Sequence, residues 1–122
     1  MAGKITIVGL GPGSYDRIPV ETRNLLLDPD ALVIVRTLEH PAARHLSELR
    51  TVESGDDLYE SEETFDVVYE RLAERVVEAG ASRHVVFAVP GSPNVGERTP
   101  ALVCEHASRR GVPVEVTGGE SF

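Results

Sequence analysis

Residues 4–13 decide the fold, because they join a short β-branched run to a loop rich in glycine. They read Lys4-Ile5-Thr6-Ile7-Val8-Gly9-Leu10-Gly11-Pro12-Gly13. The β-branched run predicts a strand. A glycine loop that directly follows a strand offers its backbone at the carboxyl end of that strand, where ligands bind in parallel sheets. The stretch therefore predicts an α/β domain with a candidate binding loop after its first strand.

Strand-like and helix-like segments alternate along the rest of the chain. We predict further strands at residues 32–35, 85–89 and 112–116, and helices at 20–27, from 41, at 64–79 and from 99 to a stop at Gly111. Strands that alternate with segments of helix length form βαβ units, whose crossovers are right-handed. The pattern therefore predicts an α/β fold, a three-layer sandwich around a mostly parallel, five-stranded sheet.

The strongest helical pattern lies between Thr64 and Ala79. Its apolar residues recur at spacings of three and four and form one stripe, made by Phe65, Val68, Tyr69, Leu72, Val76 and Val77. Thr64 is a suitable N-cap, and Gly80 stands where a left-handed glycine commonly ends a helix. We therefore expect one amphipathic helix here.

Composition and charge exclude several classes of protein. The 122 residues carry 12 basic and 20 acidic side chains, a net charge of −8, which disfavours binding to nucleic acid. No apolar run approaches the roughly 20 residues that span a bilayer, and no secretory signal precedes the first strand, so we expect a cytoplasmic protein with no membrane partner. The single cysteine, Cys104, cannot form an internal disulfide or hold a metal alone, and we expect it to be buried in the last helix.

The negative charge is concentrated in one segment. Between Thr51 and Glu70 the chain has eight acidic residues and no basic one: Glu53, Asp56, Asp57, Glu60, Glu62, Glu63, Asp66 and Glu70. Such a run is either a solvated loop that leads into a helix or a surface that holds a cation or a basic partner. The solvated loop is the simpler interpretation.

The glycine loop does not match the two common nucleotide motifs. A dinucleotide fingerprint, G-x-G-x-x-G, needs glycine where this chain has Ser14, and Arg36 stands where an NAD enzyme would place an acid. A Walker loop needs a second glycine followed by lysine, and both are missing. A dinucleotide-binding module is therefore disfavoured.

Several segments together resemble the tetrapyrrole (corrin/porphyrin) methylases, which use S-adenosylmethionine. Their signature loops are similar to Gly9–Gly13, to Pro90–Val95 after the fourth strand, and to Gly118–Phe122 after the fifth. Arg36–Pro41, and Asp57–Glu60 leading into residues 65–69, further resemble methylase-like domains that are fused to MazG-type nucleotide pyrophosphohydrolases. The five segments occur in the family's order and cover essentially the whole chain.

The resemblance implies a cofactor site built largely from backbone groups, with no metal. The positions that it assigns to S-adenosylmethionine are Leu10, Gly11, Pro12, Gly13, Pro90, Gly91, Ser92, Pro93, Val95, Ser121 and Phe122. A carboxylated acceptor would need positive or neutral groups near the strand ends, and Arg17, Arg36 and His40 are the candidates. His40, which precedes Pro41, could equally position the start of a helix. The catalytic residues are not identified.

The resemblance covers only the first half of the family's fold. We therefore expect residues 1–122 to be one N-terminal domain of a longer chain, with a C-terminal methylase half and a pyrophosphohydrolase domain as partners, and we expect a homodimer. The intact protein would be a methyltransferase, and this half alone would be inactive. The alternative is a degenerate methylase domain that regulates or dimerises the hydrolase. Ser92 replaces a frequent aspartate and Gly118 replaces the usual proline, and both replacements favour that alternative.

Overall fold

The computed structural model describes residues 3–61, 64–92 and 98–117. The strands in these ranges are β1 (Lys4–Gly9), β2 (Leu32–Val35), β3 (Glu53–Ser54), β4 (His84–Val89) and β5 (Val114–Thr117). The helices are α1 (Val20–Leu26), α2 (Pro41–Leu49), α3 (Asp56–Ser61), α4 (Phe65–Gly80) and α5 (Thr99–Arg110), and a 3-10 turn (Tyr15–Arg17) precedes α1. None of the helices in the described ranges has the length and apolar character needed to cross a bilayer.

The five strands form one parallel sheet in the order β3-β2-β4-β1-β5. Buried residues of α1 and α2 pack on one face, and those of α3, α4 and α5 pack on the other. The predicted three-layer α/β sandwich is therefore confirmed. The sequence did not locate β3 or α3, because β3 has two residues and both elements lie inside the acidic segment.

Alternate residues of the central strands divide the core into two halves. Ile5, Ile7 and Phe87 face α4 and α5, whereas Val8 and Val86 face α1 and α2. All five side chains have no more than 1% of their surface exposed. Burial of a side chain of this size contributes about 1.5–3 kcal/mol, so both helical layers are tied to the same two strands.

The structure corrects the role predicted for Gly80. This glycine is the last residue of α4, the C-cap is Ala81 in a right-handed conformation, and Gly80 is not among the glycines with positive φ. A Cβ atom at Gly80 would overlap Ile5 Cγ1 and lie 2.8 Å from Ile5 Cδ1. Glycine is therefore required here because α4 approaches β1 closely.

Other predictions about the helix ends are confirmed. The Thr64 side chain accepts a hydrogen bond from the N–H of Val67 at 3.3 Å, so it caps α4. Gly111 ends α5 in a left-handed conformation with a φ of +72°. Both ends agree with the preferences of helix caps.

Cys104 departs from its predicted place in the core. It lies on α5, as expected, but it is exposed. Partial desolvation by the surrounding protein nevertheless raises the pKa of its thiol. The thiolate fraction at neutral pH is therefore low, which makes this cysteine a weak nucleophile.

Much of the acidic segment is engaged within the fold. The guanidinium of Arg75 donates two hydrogen bonds to the Asp57 carboxylate, at 2.9 and 3.1 Å, and these bonds lower the pKa of Asp57. Glu70 lies 2.8 Å from the ring of His106. The segment also holds β3 and α3, so it is not a loop; its described acidic residues other than Asp56 are nevertheless exposed, as the solvated interpretation predicted.

We expect Gly80→Ala to destabilise the protein by about 1–3 kcal/mol, because the added methyl group overpacks the contact with Ile5. Helix propensity alone would instead make the alanine favourable by about 0.5–1 kcal/mol. Urea denaturation of the two proteins measures the sign of the change in the free energy of unfolding. In an Ile5→Ala background, which lacks both the Cγ1 and the Cδ1 atom, the cost of Gly80→Ala should be smaller; strictly additive effects would contradict the packing explanation.

We expect part of the stability to depend on the neutral form of His84. Burial and the nearby Lys4 charge lower the pKa of His84, whereas the unfolded chain titrates near about 6.5. Between these two values the unfolded chain binds more protons, so the free energy of unfolding falls as the pH drops through this window. Denaturation at about pH 7.5 and about pH 5.5 should show a larger loss for the wild type than for His84→Gln. An equal loss of unfolding free energy in both proteins would show that His84 does not cause the pH dependence.

Candidate functional site

The loops that follow β1 and β4 meet at one point on the sheet. These strands are neighbours, and their last residues, Gly9 and Val89, are paired. The chain leaves β1 towards α1 on one face, whereas it leaves β4 towards α5 on the other. Such a divergence opens a crevice at the carboxyl ends of the strands, where open α/β sheets bind their ligands.

A pair of backbone hydrogen bonds joins the two loops. The N–H of Gly11 donates to the Gly91 carbonyl at 2.9 Å, and the N–H of Gly91 donates to the Gly11 carbonyl at 3.1 Å. Both glycines have positive φ, +70° and +67°, and a Cβ atom on either would meet nothing within 4 Å. Their backbone conformation, rather than a lack of space, therefore requires glycine.

A cleft of 560 Å³ lies against these loops. Its lining is formed by Gly9, Leu10, Gly11, Pro12, Gly13, Arg17, Ile18, Pro19, Gly91 and Ser92. The volume is within the range of small-molecule sites. The cleft thus brings together six of the positions predicted for the cofactor, namely Leu10, Gly11, Pro12, Gly13, Gly91 and Ser92.

The other predicted cofactor positions are not part of this lining. Pro90 connects β4 to Gly91 and does not line the cleft. Pro93, Val95, Ser121 and Phe122 lie outside the described residues.

The walls of the cleft are apolar, and its polar groups come mainly from the backbone. The hydrogen bonds within the described chain use the N–H of Leu10 and both backbone groups of Gly11 and Gly91. In the same ranges, none uses the carbonyls of Leu10 and Pro12 or the N–H of Gly13. Apolar walls with a few backbone donors and acceptors suit an uncharged ring system such as adenosine.

His40 stabilises the Gly11 loop through a hydrogen bond from its ring. Only 8% of the residue is exposed. Its Nδ1 accepts a hydrogen bond from the N–H of Ala42 at 3.1 Å, which places the proton of the neutral ring on Nε2. Nε2 then donates to the Gly11 carbonyl at 2.8 Å. Both ring nitrogens are therefore used inside the fold, where they cap α2 and hold the Gly11 loop, rather than being offered to a substrate.

Arg36 lies at a different cleft. This second cleft, of 670 Å³, is lined by Arg36, Thr37, Leu38, Glu39, Arg44, Asp56, Tyr59, Glu60 and Phe65. Arg36 Nη1 donates to the Tyr59 hydroxyl at 2.6 Å. The Phe65 ring, 67% exposed although it was placed in the apolar stripe, lies near Tyr59. The three predicted substrate residues are thus separated: Arg17 lines the first cleft, Arg36 the second, and His40 neither.

Asp56, which was not among the residues predicted for the site, fixes the loop after β2. Asp56 accepts hydrogen bonds from the Thr37 hydroxyl at 2.7 Å and from the N–H of Leu38 at 2.9 Å. The preceding Gly55 has no room for a Cβ, which would lie 2.9 Å from the Arg36 carbonyl. A glycine directly before an acidic helix start was the available signal, but the acidic run concealed it. Within the described residues, no cluster of three or more His, Cys, Asp or Glu is arranged to hold a metal ion.

An all-parallel α/β sheet with two interlocked glycine loops beside an apolar cleft is the arrangement in which open α/β sheets bind small molecules. The sequence profile of the tetrapyrrole (corrin/porphyrin) methylases matches residues 4–121. The chain therefore belongs to the tetrapyrrole methylase family.

Similar proteins are longer than this chain. It is 43% identical over 123 residues to the uncharacterized protein YabN of Bacillus subtilis (strain 168), a match that covers all of this chain and 25% of YabN. Uroporphyrin-III C-methyltransferase from Thermus thermophilus has the same fold, with a TM-score of 0.66 and 23% identity over 99% of this chain and 49% of that chain. A second structure of that enzyme, in complex with S-adenosylhomocysteine, gives a TM-score of 0.64 and 24% identity over 98% of this chain and 46% of that chain.

We expect His40→Asn to separate the two roles of His40. Asparagine is a good N-cap, so the bond to the Ala42 N–H can be kept, but its shorter side chain cannot also reach the Gly11 carbonyl. Native-state hydrogen exchange should show faster exchange at the Gly91 N–H and little change at the Ala42 N–H.

The control for this experiment is His45→Asn, which changes another histidine of α2 that stacks on Tyr15 at 4.8 Å. It should leave the Gly91 N–H protected. His40→Ala should also lose the cap and cost about 0.5–2 kcal/mol of stability. Unchanged protection of Gly91 in His40→Asn would show that His40 does not hold the loop.

Proposed function

We propose that this chain supplies the cofactor loops of an S-adenosylmethionine-dependent methyltransferase. The observation that carries the proposal is the interlocked pair of left-handed glycines, Gly11 and Gly91, at the edge of an apolar cleft. Membership of the tetrapyrrole methylase family supports it. So does the similar fold of a methyltransferase that was crystallised with S-adenosylhomocysteine.

The lining of the cleft fits such a cofactor. Leu10, Pro12, Ile18 and Pro19 provide apolar walls for the adenosine, and the backbone groups of Leu10, Pro12 and Gly13 provide acceptors and a donor. Small residues let a ligand approach the backbone closely. When bound, S-adenosylmethionine supplies an activated methyl group, and the contribution of the protein is to align it with the acceptor.

The acceptor would lie on the same edge of the sheet, where the second cleft offers Arg36, Arg44 and the exposed Phe65. This chain spans about half of the methyltransferase chains that it resembles. We propose that the remaining wall of the site comes from a C-terminal methylase half and that the intact protein is dimeric. A MazG-type pyrophosphohydrolase domain further along the same polypeptide is part of this proposal.

A second candidate function is a degenerate domain that regulates or dimerises such a hydrolase. It is favoured by Ser92, which lines the cleft at a position where the family frequently has aspartate. A serine cannot supply the negative charge that would face a sulfonium or amino group. This candidate and the first differ in whether the intact protein retains cofactor binding and turnover.

The test is calorimetric titration of S-adenosylhomocysteine and S-adenosylmethionine into the full-length gene product and into the 122-residue chain. We expect binding to the full-length protein and weaker binding to the shorter chain, because the second wall of the cleft would then be missing. No binding to either protein would contradict the methyltransferase proposal and favour the degenerate domain.

A matched set of glycine variants shows whether the ligand binds at the two glycine loops. Gly11, Gly91 and Gly111 all have φ near +70° and open space around the missing Cβ. Alanine at each should cost a similar free energy of folding, about 1–2 kcal/mol. Gly11→Ala and Gly91→Ala should weaken cofactor binding, whereas Gly111→Ala, at the end of α5, should not. Equal weakening by all three variants would point to a general loss of stability instead.

A further inference from the structure

Arg17 is the charged side chain in the described lining of the first cleft. It is the last residue of the 3-10 turn, which is fixed to the core on both sides. Tyr15 is 7% exposed and stacks on His45, and Ile18 is 3% exposed. Because its neighbours are buried, the backbone of Arg17 has a fixed place on the wall of the cleft.

The side chain of Arg17 lies along the glycine loop. A Cβ atom at Gly13 would be 3.1 Å from Arg17 Cδ, so the aliphatic part of the arginine runs close to the Gly13 backbone. Within residues 3–61, 64–92 and 98–117, no hydrogen bond or ion pair uses the guanidinium group. The guanidinium group of this exposed residue lies beside the backbone groups of the cleft and is therefore accessible to a ligand.

Three other arginines, Arg50, Arg75 and Arg110, have structural partners. Arg50 donates to the carbonyls of Leu26, Asp28 and Ala31, and thus ties α2 to the turn after α1. Arg75 binds Asp57, and Arg110 binds Glu78. Arg17 has no comparable role in the described part of the fold, although it lies beside the same loops as the ligand.

We infer that Arg17 binds the carboxylate of the ligand in this cleft, which under the proposed function is the carboxylate of the methionyl group. A guanidinium group binds a carboxylate through two parallel N–H···O bonds, and no other charged side chain in the described lining competes with it. The same charge repels a sulfonium group. Arg17 therefore selects ligands with an amino-acid tail and directs that tail towards the 3-10 turn. This inference depends on the proposed function.

The experiment compares two ligands that differ only at that tail. S-adenosylhomocysteine carries the amino-acid group, and 5′-methylthioadenosine has the same adenosine and thioether without it. Their dissociation constants are measured by calorimetry with the full-length gene product, as wild type, Arg17→Gln, Arg17→Lys and Arg83→Gln. Arg83 precedes β4 at the opposite end of the sheet, so Arg83→Gln removes the same charge at a distance from the cleft.

We expect Arg17→Gln to weaken the binding of S-adenosylhomocysteine about tenfold, because one charge-assisted contact with the ligand is lost. The affinity for 5′-methylthioadenosine should change by less than about twofold. Arg17→Lys should restore part of the affinity, because it keeps the charge but not the planar fork. Arg83→Gln should resemble the wild type for both ligands.

The possible failures can be distinguished. Suppose that the wild type binds S-adenosylhomocysteine. If Arg17→Gln then weakens the binding of both ligands by the same factor, or changes the binding of neither, the role of Arg17 is refuted and the proposed function stands. If the wild-type protein binds neither ligand, the proposed function fails and this inference fails with it.

Discussion

Two backbone hydrogen bonds between Gly11 and Gly91 hold together loops that continue to opposite faces of the sheet. Because both residues adopt a left-handed conformation, glycine is the residue that forms this bridge at the lowest cost in backbone strain. The carbonyl of Gly11 also accepts the bond from His40, so the bridge connects β1, β4 and the start of α2. The shape of the candidate cofactor cleft depends on this connection.

The architecture was largely predictable, because parallel strands that are buried on both faces consist of continuous apolar runs that are easily recognised in the sequence. The apolar run 32–35 coincides with β2, and the alternation of strands and helices implied the three layers. The two-residue β3 left no such pattern, since its identity rests on backbone pairing with β2 rather than on its own side chains. The role of Gly80 likewise depends on Ile5, a residue distant in sequence, which no local pattern reveals.

The candidate site was predictable at the level of loops and much less at the level of side chains. Six of the predicted positions line one cleft, because glycine and proline after a strand are local signals. The partner of His40 lies 29 residues earlier in the chain, and Asp56 contacts Leu38 across 18 residues. Arg17 and Arg36 looked equivalent in the sequence, but they follow different strands, and the sheet order separates their clefts.

The position of β1 in the sheet has a consequence for synthesis on the ribosome. β1 is made first, yet its neighbours in the sheet are β4 and β5, and its partner residues in β4 follow about 80 residues later. At roughly 5–20 residues per second, the nascent strand waits for several seconds before it can pair. During that time its apolar side chains and both of its edges stay unpaired, for longer than those of any other strand in the described part of the chain.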